Sequence, residues 1–162
     1  LTVSLALLLA ACGFQMRGTA SLPFETIYLP GATRGIALDL KRNIQSGTAT
    51  KVVDDPKAAQ ALLQFTEETR QKEILSLTGG GRVREFRLIY RVGFRVTDGK
   101  GGDFLAPNTV ALTRDVTYDD TLALAKETEE QLLFREMQSD MVQQIMRRIA
   151  AAQKPATDAT AR

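Results

Sequence analysis

The sequence predicts an α+β fold: a two-layer sandwich whose four-stranded, mostly antiparallel sheet carries two helices on one face, in the order β-α-β-β-β-α. Three observations predict it. First, the stretch from Arg84 to Thr97 puts Phe86, Leu88, Tyr90, Val92, Phe94 and Val96 at even positions, and Arg87, Arg91 and Arg95 among the odd ones. A period of two belongs to a strand with one dry face and one wet, basic face. Second, residues around 34–46 and 121–151 repeat apolar side chains at helical spacing, as helices lying on a sheet do. Third, Asp98 to Gly102, just after the alternating stretch, suits a hairpin turn into one more strand. Burying its six apolar side chains sets an upper bound of roughly 9–18 kcal/mol.

The elements follow in order. Thr26 to Leu29 reads as a short strand closed by Pro30-Gly31. Thr33 is the expected N-cap of a helix over Arg34 to Ser46, with Ile36, Leu40 and Ile44 on one face and Gly47 at the C-cap. Asp54-Asp55-Pro56 marks a turn. Ala59, Ala61, Leu63 and Phe65 alternate with more polar neighbours, a second strand reaching about Thr69. Arg70 to Gly81 is polar and ends in three glycines, so a mobile loop is expected. Beyond the organising strand, Asp98 to Gly102 predicts a hairpin into a strand over Thr109 to Tyr118. Asp119 or Asp120 is placed to cap a last helix over Thr121 to Ala151, with Leu122, Leu133, Met137, Met141, Ile145 and Ile149 facing the sheet.

Residues 12–152 are read as one domain, and 153–162 as a disordered tail with nothing to bury. Residues 1–11 form an apolar run of signal-peptide length, too short to span a membrane. It has neither an initiator Met nor a basic stretch before it, so residues are expected to be missing upstream. The run ends Leu9-Ala10-Ala11-Cys12, which resembles the lipobox of bacterial lipoproteins. That resemblance implies cleavage before Cys12, an S-diacylglycerol on its thiolate and an N-acyl chain on the new terminus. Several chains at about 0.8 kcal/mol per buried methylene anchor stably where one does not. Gly13, in place of Asp, favours the outer membrane by the same resemblance.

Composition narrows the chemistry. The chain has 162 residues, 44% of them hydrophobic, with 21 basic and 19 acidic residues and no histidine. A net charge of +2 is too balanced for general nucleic-acid binding, and no aromatic side chain interleaves with the arginines on their face of the strand. Cys12 is the only cysteine, so an internal disulfide, a His/Cys zinc site and histidine-based catalysis are excluded. The acidic pairs Asp54-Asp55, Asp119-Asp120 and Glu129-Glu130 are sequence neighbours, which point apart or cap helices rather than share a proton. Gly79-Gly80-Gly81 lacks the Lys-Ser/Thr of a phosphate loop. No catalytic residue, metal ligand or resident cofactor is expected. Arg87, Arg91 and Arg95 remain. Their bland reading is solvated positions with acidic cross-strand partners; their functional reading is a row of forks for phosphate or carboxylate.

The stretch Cys12-Gly13-Phe14-Gln15-Met16-Arg17-Gly18, with Leu22-Pro23 after it, is similar to the mature start of the LPS-assembly lipoprotein family LptE. Glu85-Phe86-Arg87-Leu88, Arg114 to Asp119 and Leu122 to Glu127 resemble that family in the same order and spacing. The departures are Met16 where Leu is usual and the polar tail. The resemblance implies a non-enzymatic outer-membrane lipoprotein, held by its lipid on the periplasmic side. It implies a plug inside the β-barrel LptD that helps the barrel assemble, binds lipopolysaccharide and serves its insertion into the outer leaflet. The candidate phosphate contacts are Arg82, Arg84, Arg87, Arg91 and Arg95, with Lys126 and Arg135 on the last helix. The alternative is a stand-alone periplasmic lipoprotein that binds an anionic ligand without a barrel.

Overall fold

The computed structural model describes residues 21–153. The signal-like run, Cys12 and the tail from residue 154 lie outside the described residues. Five strands and two helices follow one another: β1 (Thr26–Tyr28), α1 (Gly35–Gly47), β2 (Lys51–Val53), β3 (Ala61–Leu77), β4 (Val83–Thr97), β5 (Asp103–Thr117) and α2 (Ala123–Ala150). The sheet order is β2-β1-β3-β4-β5. β1 is parallel to both its neighbours, and β3, β4 and β5 form an antiparallel meander. The α+β sandwich is therefore as expected, with one strand more than the four predicted. The extra strand is β2, three residues long and at the edge. So short a segment has no periodicity to detect.

The organising strand has the two faces its alternation predicts. Leu88, Tyr90, Val92, Phe94 and Val96 are buried beneath the helices, and Phe86 is half-buried at the rim. The core adds Ile36, Leu40 and Ile44 from α1, and Met137, Met141, Ile145 and Ile149 from α2. Leu122 does not join them and is 53% exposed. It belongs to a single 3-10 turn, Asp120–Leu122, which Asp119 caps by accepting from the Thr121 amide at 2.9 Å. The α-helix starts only after that turn, so the helical spacing counted from Leu122 does not apply.

Several boundaries move for physical reasons. Thr33 is not the N-cap of α1: its amide closes a turn onto the Gly31 carbonyl at 2.7 Å, Arg34 is the N-cap, and no side chain caps the helix. Gly47 is the last helical residue rather than the C-cap. Thr48 follows it in extended conformation, and its amide and hydroxyl both donate to the Ile44 carbonyl, at 3.1 and 2.8 Å.

The expected mobile loop from Arg70 is instead the second half of β3. The strand runs on to Leu77 and turns over Thr78 to Arg82, with Gly81 at a φ of 78°. Its polarity misleads because the strand is exposed there on both sides. A β-bulge between Phe65 and Glu67 lies opposite Gly93. Up to Phe65, the odd residues Leu63 and Phe65 face the helices; past the bulge Glu68, Arg70 and Lys72 do. Gly93 makes room for it, since a Cβ there would meet Thr66 Oγ1 at 2.6 Å and Glu67 Cβ at 3.2 Å. β5 likewise starts at Asp103, six residues earlier than expected, and carries Pro107 where an edge strand tolerates a missing amide.

Candidate functional site

The predicted basic face exists, and its arginines differ sharply. Arg87, Arg91 and Arg95 project from the face opposite the helices. Arg87 donates Nε and Nη2 to the two carboxylate oxygens of Asp115, at 2.8 and 2.9 Å. That bond, and then the charge itself, raises the Arg87 pKa above its ordinary value and holds Asp115 below the usual carboxylate range. Arg95 Nη2 donates to Asp103 at 2.7 Å. Both aspartates sit on the neighbouring strand β5, as the bland cross-strand reading requires. Arg91 pairs across to Ala111 and Thr69, is exposed, and makes no ion pair among the described residues.

The other candidates lie elsewhere. Arg82 is exposed in the β3–β4 turn. Arg84 shares the helix-side face of β4 with Phe86, because it stands two positions away, and its carbonyl accepts from the Tyr118 amide at 2.8 Å. Lys126 lies on the first half of α2 and bonds Glu129 at 2.8 Å. Arg135 is exposed and flanks Asp39, Arg42 and Ser139 in a shallow polar cleft between the helices. The structure thus divides the seven candidates among three places.

One of those places is a groove. The first half of α2 stands off the sheet and leaves a cavity of about 320 Å³ between itself and the ends of β3, β4 and β5. Its apolar wall is Phe86, Leu88, Val116, Tyr118 and Leu124. Phe86 and Tyr118 pack edge to face with centroids 5.1 Å apart. Lys72 and Lys126 stand at the rim with Glu127 and Glu130. Lys72 Nζ bonds Glu130 at 2.6 Å and lies 4.2 Å above the Phe86 ring. Such partly exposed pairs contribute little, roughly 0–1 kcal/mol, so an incoming anion can replace the glutamate. An apolar slot with convergent cations at its mouth suits an amphiphile whose anionic head stays at the rim. Among the described residues no cluster of acidic or sulfur side chains is arranged to hold a metal ion.

Sequence reasoning missed Lys72, because the stretch holding it read as a loop. The signal was present: Arg70, Lys72 and Ile74 keep a period of two, which the bulge shifts from odd to even. It also missed a clasp beside the groove. Arg70 donates to Gln138 and lies over the rings of Tyr90 and Phe134, at 4.9 and 5.7 Å. Tyr90 donates to Glu68 at 2.8 Å, and burial followed by that carboxylate pushes the Tyr90 pKa well up.

Comparison with known proteins agrees with this architecture. Residues 24–149 match the family model for LptE, described as lipopolysaccharide-assembly. The chain is 25% identical over 159 residues to the LPS-assembly lipoprotein LptE of Pectobacterium atrosepticum, covering 92% of this chain and 83% of that protein. Among solved structures it is similar to an uncharacterized lipoprotein B of Nitrosomonas europaea, with 41% identity, a TM-score of 0.74, and coverage of 86% of this chain and 91% of that one. The rare lipoprotein B of Shewanella oneidensis aligns at 26% identity and a TM-score of 0.68, over 78% of this chain and 94% of that one.

Proposed function

The chain belongs to the LptE family of lipopolysaccharide-assembly lipoproteins, an outer-membrane-associated family, and on that premise we propose that it binds lipopolysaccharide in the groove beneath the first half of α2 while plugging the β-barrel LptD. The observation that carries the ligand half of this reading is the pairing of an apolar wall with a cationic rim in one 320 Å³ slot. Lipopolysaccharide offers acyl chains and phosphates joined in one molecule, which matches that pairing. Lys72, Lys126 and the neighbouring Arg84 meet the phosphates, and Phe86, Tyr118 and Leu124 meet hydrocarbon. Arg82 extends the basic rim around the turn. Arg87 and Arg95 face away from the groove, and Arg87 holds Asp115 through two parallel bonds; Arg91 is the freer of the three for a partner surface. Arg135 lies too far round the helix pair to share the groove.

The lipid tether on Cys12, an N-acyl group with an S-diacylglycerol, holds the domain at the outer membrane in this reading, with no enzymatic step and no nucleic acid involved. The barrel half rests on family membership and on the exposed Leu77, Leu122 and Leu132, apolar surface outside the groove that a wall can cover. The test is lipopolysaccharide binding by the purified domain at fixed salt. Replacing Arg84 and Lys126 together by glutamate should weaken binding tenfold or more, whereas Arg87→Ala with Arg95→Ala should change it less than threefold. The reverse ranking would move the site to the open sheet face. Co-purification of the wild-type chain with a large barrel from outer membranes checks the other half.

A further inference from the structure

We propose that the free edge of β3, from Glu68 to Ile74, is a strand-acceptor site for an extended segment of a partner protein that carries basic residues at alternate positions on one face. The sheet has two long edges, and they are treated differently. β1 pairs only with Ala61 and Leu62, so β3 beyond Leu62 is an edge, as β5 is. The Tyr118 amide bonds the Arg84 carbonyl, so even-numbered residues make the hydrogen-bonded pairs of the β4–β5 ladder. Odd residues of β5 therefore turn their backbone groups outward, and that edge is guarded. Arg148 donates to the Thr109 carbonyl and Arg114 to the Thr113 carbonyl, each at 3.0 Å, and Pro107 lies within the strand. These are devices that block pairing.

The same alternation runs on across the sheet. Odd residues of β4 face β3, so Thr69 and Gln71 are bonded to Arg91 and Ile89. Glu68, Arg70, Lys72 and Ile74 then turn one donor and one acceptor each away from the sheet. No hydrogen bond among the described residues reaches these groups. The charged side chains that would screen such an edge are withdrawn over the helix face: Glu68 to Tyr90, Arg70 to Gln138, Lys72 to Glu130. A strand can therefore add here through backbone bonds alone.

The chemistry of the occupant follows from the open face. Glu67 and Glu73 line it without an ion-pair partner among the described residues, and Arg87, across from Glu73, is committed to Asp115. A strand with Lys or Arg beside these two glutamates is complementary. A second copy of this chain is not: on this face its own β3 offers Thr69, Gln71 and the same two glutamates and no basic residue, and antiparallel pairing centred on Arg70 would set Glu67 against Glu73. At the far end Ile74 is 58% exposed and Leu75 40%, apolar surface for the end of the added strand.

Amide hydrogen exchange tests this in the full chain, free in detergent and in the assembly extracted from its native membrane. Amides of Glu68, Arg70, Lys72 and Ile74 should exchange quickly in the free protein and at least a hundredfold more slowly in the assembly, while Thr69 and Gln71 are slow in both. Arg70→Pro should reduce recovery of the assembly at least tenfold relative to Arg70→Ala, because both lose the same side chain and only the proline loses the outward donor. Melting curves establish that both variants fold. Equal exchange in the free and assembled protein would overturn the proposal, as would equal recovery of the two variants. Protection that appears in the free protein as its concentration rises would assign the edge to a second copy and also overturn it. Lipopolysaccharide binding by Arg70→Pro is expected to stay within threefold of Arg70→Ala, so this result and that of the groove variants are separable.

Discussion

The two halves of α2 occupy different environments. From Met137 onward it buries Met137, Met141, Val142, Ile145 and Ile149, and it sits over the dry part of β4 beside α1. From Ala123 to Glu136 it buries no residue fully, and Leu124 is 80% exposed. A helix half that buries so little is held mainly as the continuation of an anchored one. The same division runs through the sheet, whose far end carries the groove, the exposed turn and the bare edge of β3. One end of the molecule makes the fold, and the other is left with surface that its own chain does not cover.

Several substitutions sharpen or break this division. The largest effect belongs to the dry end: Phe94→Ala should cost about 3–5 kcal/mol in urea unfolding, whereas Leu124→Ala should stay within about 0.5 kcal/mol. Comparable losses at the two positions would mean that the far end is also core. Next comes the bulge between the halves. Gly93→Ala places a Cβ against Thr66 and Glu67 and should cost about 1–3 kcal/mol. Adding Thr66→Ala should recover part of that loss, since the nearest clash is with the Thr66 hydroxyl; a double variant no better than the single one would shift the strain to Glu67. Smaller again is Lys72→Ala, which frees the groove wall and should cost under about 1 kcal/mol. Its visible effect should be faster exchange of amides in the first half of α2 with the second half unchanged.

The pH dependence has two limbs of opposite sign. Asp98, Asp115 and Asp119 are held below the usual carboxylate value by hydrogen bonds from the Lys100 amide, Arg87 and Thr121 respectively. Their contribution is present above the unfolded carboxylate value and is lost as pH falls through their lower folded values. Arg87 and Asp115 are partly exposed, so added salt should shrink their part of this acid limb. Tyr90 is raised above its ordinary 10.0, by burial first, so its contribution is full below that value and fades as pH rises beyond it. Tyr90→Phe should flatten the alkaline limb and leave the acid limb alone. An alkaline limb unchanged in Tyr90→Phe would detach it from the dry end.

What the amino-acid order determined by itself is the local and periodic part. The alternation of Phe86 to Val96 specified a strand with one buried face, because a period of two has no other regular reading. The spacing of Ile36, Leu40 and Ile44, and of Met137 to Ile149, specified two helices over it. The motifs around Cys12, Arg114 to Asp119 and Leu122 to Glu127 carried the resemblance to the family through their order and spacing. What only the tertiary structure decided is which side chains meet. The bulge at Phe65 to Glu67 turns Lys72 toward the helices, and it exists because Gly93, some 27 residues away, leaves it room. Asp115 and Asp103 neutralise Arg87 and Arg95 through a register that no local pattern encodes. The groove likewise needs residues from β3, β4, β5 and α2 together. Periodicity reports which face of an element is dry, whereas a binding surface depends on which elements stop short of covering one another, and that is a property of the packed chain.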